Sequence, residues 1–116
     1  MSTRPDMIDL LSAGIAGASA RQNVIAGNIA NAQTPGFRRR TVEFENALAR
    51  AVDSGDLAAA KAHVLTPAGG TADETGNNVD IETEIGELVQ NSANYKACLR
   101  ILSKVYKQME LAMTVQ

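Results

Sequence analysis

The sequence predicts an all-α protein: two long terminal helices that pair as a coiled coil, with a flexible, mostly irregular middle segment. Three observations support this. Two stretches, one near each end, space their apolar residues at alternating steps of three and four, as a helical seam does. Of the 116 residues, 45% are apolar but only 3% aromatic, with no Trp, so much of the apolar content is Ala. Slim, Ala-rich helices bury little area each and pack side by side better than they build a thick core. Between the two stretches the period is lost. The chain thus divides into an N-terminal helix and turn (1–37), a mobile linker with short helices (38–78) and a C-terminal helix (79–116).

The first seam runs Ile8, Leu11, Ile15, Ala18, Gln22, Ile25, Ile29 and Ala32, with Gln22 its one polar member. Asp6 is placed to cap this helix and Asp9 lies in its first turn, where the helix dipole favours negative charge. The helix is expected from about Met7 to Asn31. Ala13, Gly14, Ala16, Gly17, Ala18 and Ala20 keep it slim on more than one side, which points to contacts between subunits. The two glycines cost helix propensity.

Asn31 is the expected end of the helix, and Thr34, Pro35 and Gly36 form a tight turn in which Pro fixes φ and Gly takes a positive one. Phe37 then re-enters a packed surface. Arg38, Arg39 and Arg40 form the one dense basic cluster, which either grips an acidic surface or, more simply, solubilises the exit from the turn. TVEFENALARAV suggests a short helix through Val42, Leu48 and Val52, and DLAAAKAHVL another. TPAGGTADETGNN is expected to be a mobile loop.

The second seam is longer: Ile81, Ile85, Leu88, Ser92, Tyr95, Leu99, Leu102, Tyr106, Met109 and Met113, with Ser92 its only polar member. Asp80 is a natural N-cap. Glu82, Glu84 and Glu87 lie near the positive end of the helix dipole, and Lys104 and Lys107 toward the negative end. A helix from Ile81 to Thr114 would be roughly 50 Å long at about 1.5 Å per residue, and needs a partner along its length. Lys96, Arg100, Lys104 and Lys107 lie off the seam on the outer side. A solvated face accounts for that stripe, and contact with a neighbouring subunit is the alternative.

No constellation for catalysis is present. The single histidine, His63, follows an Ala-rich stretch, and the single cysteine, Cys98, sits beside the seam as a small helix residue. Neither a disulfide within the chain nor an ordinary metal-ligand set can be assembled from them. The acids from Asp73 to Glu87 lack the fixed alternation of a calcium loop, and Gly69 and Gly70 have no phosphate-binding context. A formal net charge of -2 argues against nucleic acid as a partner. The charge-free runs are shorter than the roughly 20 residues that cross a bilayer, and the first residues do not read as a cleavable signal. No enzyme, cofactor, metal or direct membrane span is expected.

The segment NIANAQTPGF, Asn28 to Phe37, closely resembles the N-terminal signature of the flagellar axial proteins, the rod, hook and hook-associated family. In that family a helix ends in N-[IL]-A-N and is followed by T-P-G-[FY]. GNNVDIETE, from Gly76, and NSANYKACLRILS, from Asn91, are similar to one of the two proximal rod types. The companion proximal type is the nearest alternative. The resemblance covers about two thirds of the chain; the middle departs from it, AKAHVLTPAGG keeping only a trace.

The resemblance implies a structural subunit whose terminal helices polymerise as a coiled coil in the inner rod, around a narrow export channel. It implies homo-oligomeric contacts within the rod and contacts with other rod proteins and the adaptor to the membrane-supramembrane ring. It also implies delivery through the flagellar export apparatus without signal cleavage. The assembly residues would be Ile8, Leu11, Ile15, Ile25 and Ile29, the turn residues Asn31, Pro35, Gly36 and Phe37, and Ile85, Leu88, Tyr95, Leu99, Leu102, Tyr106 and Met109. Phe44 and Leu48 resemble a short export element, which a small packed helix explains equally well. From a different class, a non-polymerising helical-hairpin adaptor of the export system would also present such a seam.

Overall fold

The computed structural model describes residues 7–114; the expected cap at Asp6 lies outside them. Helix α1 spans Met7–Ala30, strand β1 Thr41–Glu43, helix α2 Glu45–Ser54, a 3-10 turn Leu57–Ala59, strand β2 His63–Leu65 and helix α3 Ile81–Thr114. The two long helices fall where their apolar periods placed them. Asp80 caps α3 as its position suggested, with Oδ1 accepting from the Glu82 N–H at 3.1 Å.

Helices α1 and α3 lie antiparallel. Asn28 meets Glu84 near one end, Gln22 meets Ser92 in the middle, and Gly14 faces Cys98 further along. The two polar interruptions of the expected seams are therefore set against each other, the Gln22 amide 3.5 Å from the Ser92 hydroxyl. By the same register, α3 from Tyr106 onward runs past the level at which α1 begins at Met7. The molecule measures 67 × 27 × 14 Å with a radius of gyration of 18.0 Å, against the roughly 13 Å of a compact domain this size.

The middle segment departs from the all-α expectation. Val42 lies in a strand and not in a helix, paired with Val64 in a two-stranded antiparallel sheet. DLAAAKAHVL forms a 3-10 turn and then β2, so the second short helix is absent. β-Branched residues at Thr41, Val42 and Val64 favour the extended backbone that pairs them, and the long-range pairing is invisible to helical periodicity. Helix α2 begins only after Phe44. It ends in a left-handed Gly55 (φ 78°), with the Asp56 N–H reaching the Ala51 carbonyl at 3.0 Å and the Gly55 N–H the Val52 carbonyl at 3.2 Å. Part of the segment is thus fixed against α1, Phe44 on Gly17 and Glu45 on Arg21, while residues 66–78 lie outside helix and strand. Its buried residues Val42, Phe44, Ala47 and Ala51 join Leu11, Ala18 and Ile25 of α1 in a thin core.

Candidate assembly interface

The turn after α1 is built by two separated strings of sequence. Thr34, Pro35, Gly36 and Phe37 close a β-turn, the Phe37 N–H reaching the Thr34 carbonyl at 3.2 Å, with Gly36 at φ 76° where a type II turn calls for glycine. Asn31 anchors it: its amide donates to the Gly27 carbonyl at 2.8 Å, and its Oδ1 accepts from the Thr34 hydroxyl. From the other string, Asn77 donates to the Asn31 and Thr34 carbonyls, the Gly36 N–H donates to the Thr75 carbonyl at 2.8 Å, and Asn78 Oδ1 accepts from the Arg39 N–H. Asp73 closes its own loop by accepting from the Thr75 N–H and hydroxyl and from the Asn77 N–H. Those hydrogen bonds, Thr75 foremost, hold its carboxyl below the ordinary aspartate range. TADETGNN is a turn-supporting loop in which the acid is spent on the backbone.

Beneath the turn lies a buried polar cluster. Glu84 has no exposed surface. Its Oε1 accepts from the Asn28 amide at 2.9 Å and its Oε2 from Arg39 Nε at 2.7 Å, while Arg39 Nη2 donates to Glu87 at 2.6 Å. Asn28 also brackets the Arg40 backbone, donating to its carbonyl at 2.8 Å and accepting from its N–H at 2.9 Å. Burial lowers the Arg39 pKa, but the hydrogen bonds and charge of Glu84 and Glu87 outweigh this and leave it raised. Of the basic cluster, Arg39 therefore finds its acidic surface on α3 of the same chain. Arg40 stacks over the Phe37 ring, 5.8 Å from its centroid, and Arg38 donates to the Gly69 carbonyl at 3.1 Å.

Along α1 the small residues have partners inside the chain. A Cβ at Gly17 would come within 2.3 Å of the Phe44 ring, so glycine is what lets that ring lie on the helix. Gly14 faces Cys98, whose Sγ would sit 3.6 Å from an added Cβ, in ordinary van der Waals contact. Of these small residues Gly17 thus faces the middle segment and Gly14 faces α3, while Ala16 is exposed. Arg21 fastens the same corner, with both oxygens of Glu45 at 2.8 Å and the Val42 carbonyl at 2.9 Å. The Arg21 hydrogen bond holds Glu45 below the ordinary glutamate range.

The face of α3 that meets α1 overlaps the expected seam only in part. Glu84, Leu88, Asn91, Tyr95, Cys98, Leu102 and Val105, again at steps of four and three, are withdrawn from solvent, as is Ser92. Asn91 donates to the Ala18 carbonyl at 2.8 Å and to Gln22 at 2.9 Å, and its Oδ1 has no partner among the described residues. Leu88, Tyr95 and Leu102 belong to both series. Ile85, Leu99, Tyr106 and Met109 do not and are exposed, as are Ile81, Val89, Ile101, Leu111 and Met113, from 39% at Ile81 to 70% at Met113. On α1 the assignments Ile8, Leu11, Ile15, Ile25 and Ile29 are buried or half-buried within the chain. Asn31 and Phe37 are half-buried in the turn, and Pro35 and Gly36 are exposed there. Phe44 is buried against Gly17, and Leu48 is half-buried beside it.

Sequence reasoning missed Asn28, Asn77, Asn91, Arg39 and Glu84 because it sought apolar seams. Their signal was available: Glu84, Asn91 and Cys98 continue a three-four spacing with Leu88, Tyr95 and Leu102.

Comparison with known proteins agrees with this geometry. Residues 11–38, from the second turn of α1 through the turn that follows it, match the family model described as flagella basal body rod protein. The flagellar basal body rod protein FlgB of Bacillus subtilis is 31% identical, with 98% of each chain covered. FlgB of Borreliella burgdorferi is 31% identical over 82% of this chain and 86% of its own, and FlgB of Escherichia coli K12 is 32% identical over 77% and 79%. These relatives carry the name of a flagellar basal body rod protein and not of an enzyme, and they favour neither the companion proximal type, FlgC, nor an export adaptor. A near full-length likeness, with a turn knitted from both signature strings, shows that the chain belongs to the FlgB family of flagellar basal body rod proteins.

Proposed function

We propose that this chain is a proximal rod subunit that polymerises through its terminal helices, contacting further copies, other rod proteins and the adaptor to the membrane-supramembrane ring. The observation that carries this is the unspent apolar surface of α3. After α1 has been packed, Ile85, Val89, Leu99, Tyr106, Met109 and Met113 remain exposed along a helix of 34 residues. Apolar surface of that extent marks an interaction site. Coiled-coil pairing supplies its geometry: α3 offers one heptad stripe to α1 and a second, rotated by about one residue, to a neighbour. In this division of labour, residues 1–37 and 79–116 build the rod and 38–78 decorate it.

No described helix is long and apolar enough to cross a membrane. Delivery to the periplasmic rod through the flagellar export apparatus, without cleavage of a signal, accords with that. Phe44 and Leu48 form the export element in this scheme. Since Phe44 is buried in the folded subunit, it is readable only before folding.

Deletion of the gene and complementation with a tagged copy tests the assignment. The tagged chain should be recovered in isolated basal bodies, and the deletion strain should lack rods and filaments. A deletion strain that swims normally, or a tag absent from purified basal bodies, would remove the rod reading.

A further inference from the structure

The contact between α1 and α3 is polar at its most buried points. Asn28, Glu84 and Asn91 are each 2% exposed or less, and all three lie where the two helices meet. Glu84 accepts from Asn28 at 2.9 Å; one heptad along α3, Asn91 donates to Gln22 at 2.9 Å and to the Ala18 carbonyl at 2.8 Å; one heptad further, Cys98 faces Gly14. The Glu84 level is also held from the middle segment, through Arg39. The partners of Asn91 both lie on α1, so this level depends on the pairing of the two helices alone.

The Asn91 level carries a cost. Its Oδ1 is buried with no partner among the described residues, and an acceptor left so forfeits the hydrogen bond it would have in water. Apolar side chains stand ready to take its place. Ile85 and Leu99, each one position beyond Glu84 and Cys98, stay 48% and 42% exposed. Turning α3 by about 50° on its own axis would bring Ile85, Ser92 and Leu99 toward α1 and keep Leu88, Tyr95 and Leu102 in contact. Burial of apolar surface favours that turn; the hydrogen bonds of Asn91 oppose it.

We propose that Asn91, with Gln22 opposite it, is a register key: it lowers the stability of the helix pair and in return fixes α3 in a single rotation. A buried asparagine in a helical seam acts in this way because in any other arrangement its amide loses its partners. The key is a property of the single chain. Its consequence rests on the reading of the chain as a rod subunit: it keeps Ile85 and Leu99 on the outer face, where a neighbour can reach them.

Two engineered disulfides report the rotation in the isolated, dilute chain. Gly14→Cys sets a second thiol against Cys98 and reports the observed pairing. Gly14→Cys with Cys98→Ser and Leu99→Cys reports the turned one. With Asn91 and Gln22 in place, the first disulfide should form at least about tenfold faster than the second. With Asn91→Leu and Gln22→Leu added, the two rates should come within about threefold of each other, and the chain should melt at or above the temperature of its parent. If the leucine pair lowers helicity, Asn91→Ala decides, with an intermediate ratio expected. A ratio that neither variant changes, or a lower melting temperature for the leucine pair with helicity intact, overturns the key. Recovery of the wild-type chain from basal bodies tests the rod reading separately and is untouched by either result.

Discussion

Asn77 gives both hydrogens of its side-chain amide to the turn that closes the first helix, to the Asn31 carbonyl at 2.9 Å and the Thr34 carbonyl at 2.8 Å. Its Oδ1 accepts from the Val79 N–H at 2.8 Å, so one buried side chain ties the exit of α1 to the approach to α3. Asn77→Ala removes three hydrogen bonds and leaves the Val79 N–H without its partner, while the Asn31 and Thr34 carbonyls still accept from the Thr34 and Phe37 N–H groups; it should cost about 1–3 kcal/mol in urea unfolding. Asn77→Asp keeps the acceptor but faces two carbonyl oxygens with a negative charge, and should be at least as damaging. A milder effect for Asp than for Ala would show that the donated hydrogens contribute little.

Glu84 is a buried side chain whose removal takes from Arg39 one of its two acidic partners, Glu87 remaining, and from the Asn28 amide one of its two acceptors. Glu84→Ala should destabilise by about 1–3 kcal/mol. In an Arg39→Ala background the same substitution should cost clearly less, because the contact it removes is already gone. Additive losses in that double-mutant cycle would mean that the 2.7 Å contact carries no coupling.

Gly17 and Phe44 form a second coupled pair. Gly17→Ala pushes a methyl into the ring and should cost about 1–3 kcal/mol despite Ala being the better helix former. With Phe44→Ala in place the clash vanishes, and Gly17→Ala should become neutral or stabilising. Thermal melting of the four chains is the measurement, and an unchanged penalty for Gly17→Ala in the Phe44→Ala chain would place the ring elsewhere.

The ion pair between Arg21 and Glu45 sets a modest acid sensitivity. The folded-state pKa of Glu45 lies below its unfolded value, so the pair stabilises fully above the ordinary glutamate pKa of about 4.3 and is lost as pH falls through the lower folded value. Glu45 is largely exposed, which keeps the contribution to about 0–1 kcal/mol. Glu45→Gln should therefore lower stability slightly at neutral pH and make no difference in strong acid. A penalty that persists at low pH would point to packing instead of charge.

Local and periodic features were legible in the sequence; the long-range polar ones were not. The bounds of α1 and α3, the Asp80 cap and the Gly36 turn follow from spacing and residue chemistry that act within a few residues. The pairing of Val42 with Val64 and the engagement of Arg39 by Glu84 depend on which distant segments meet, which periodicity does not encode. The stripe of α3 that faces α1 keeps Leu88, Ser92, Tyr95 and Leu102 of the apolar period but departs from it elsewhere, for an instructive reason. Polar Glu84 and Asn91 occupy seam positions because Asn28, Arg39 and the Ala18 carbonyl wait opposite them, while apolar Ile85 and Leu99 are left outside. Hydrophobicity alone mixes residues of the two stripes.

That rotation separates two seam residues that the sequence treats alike. Leu102 lies half-buried on the stripe facing α1, whereas Leu99 is 42% exposed on the outer stripe. Leu102→Asp places a charge against α1, where reaching solvent is hindered, and should cost several kcal/mol of subunit stability, read as a fall in melting temperature and helicity. Leu99→Asp can turn its carboxylate to water, so the isolated subunit should melt within about 0.5 kcal/mol of wild type. In cells both should fail to build rods, but for different reasons: the first lacks a stable hairpin, the second presents a charge to the neighbouring subunit. Normal motility with Leu99→Asp would assign assembly to a face other than the exposed apolar stripe. A Leu99→Asp subunit as unstable as Leu102→Asp would show instead that Leu99 packs within the chain.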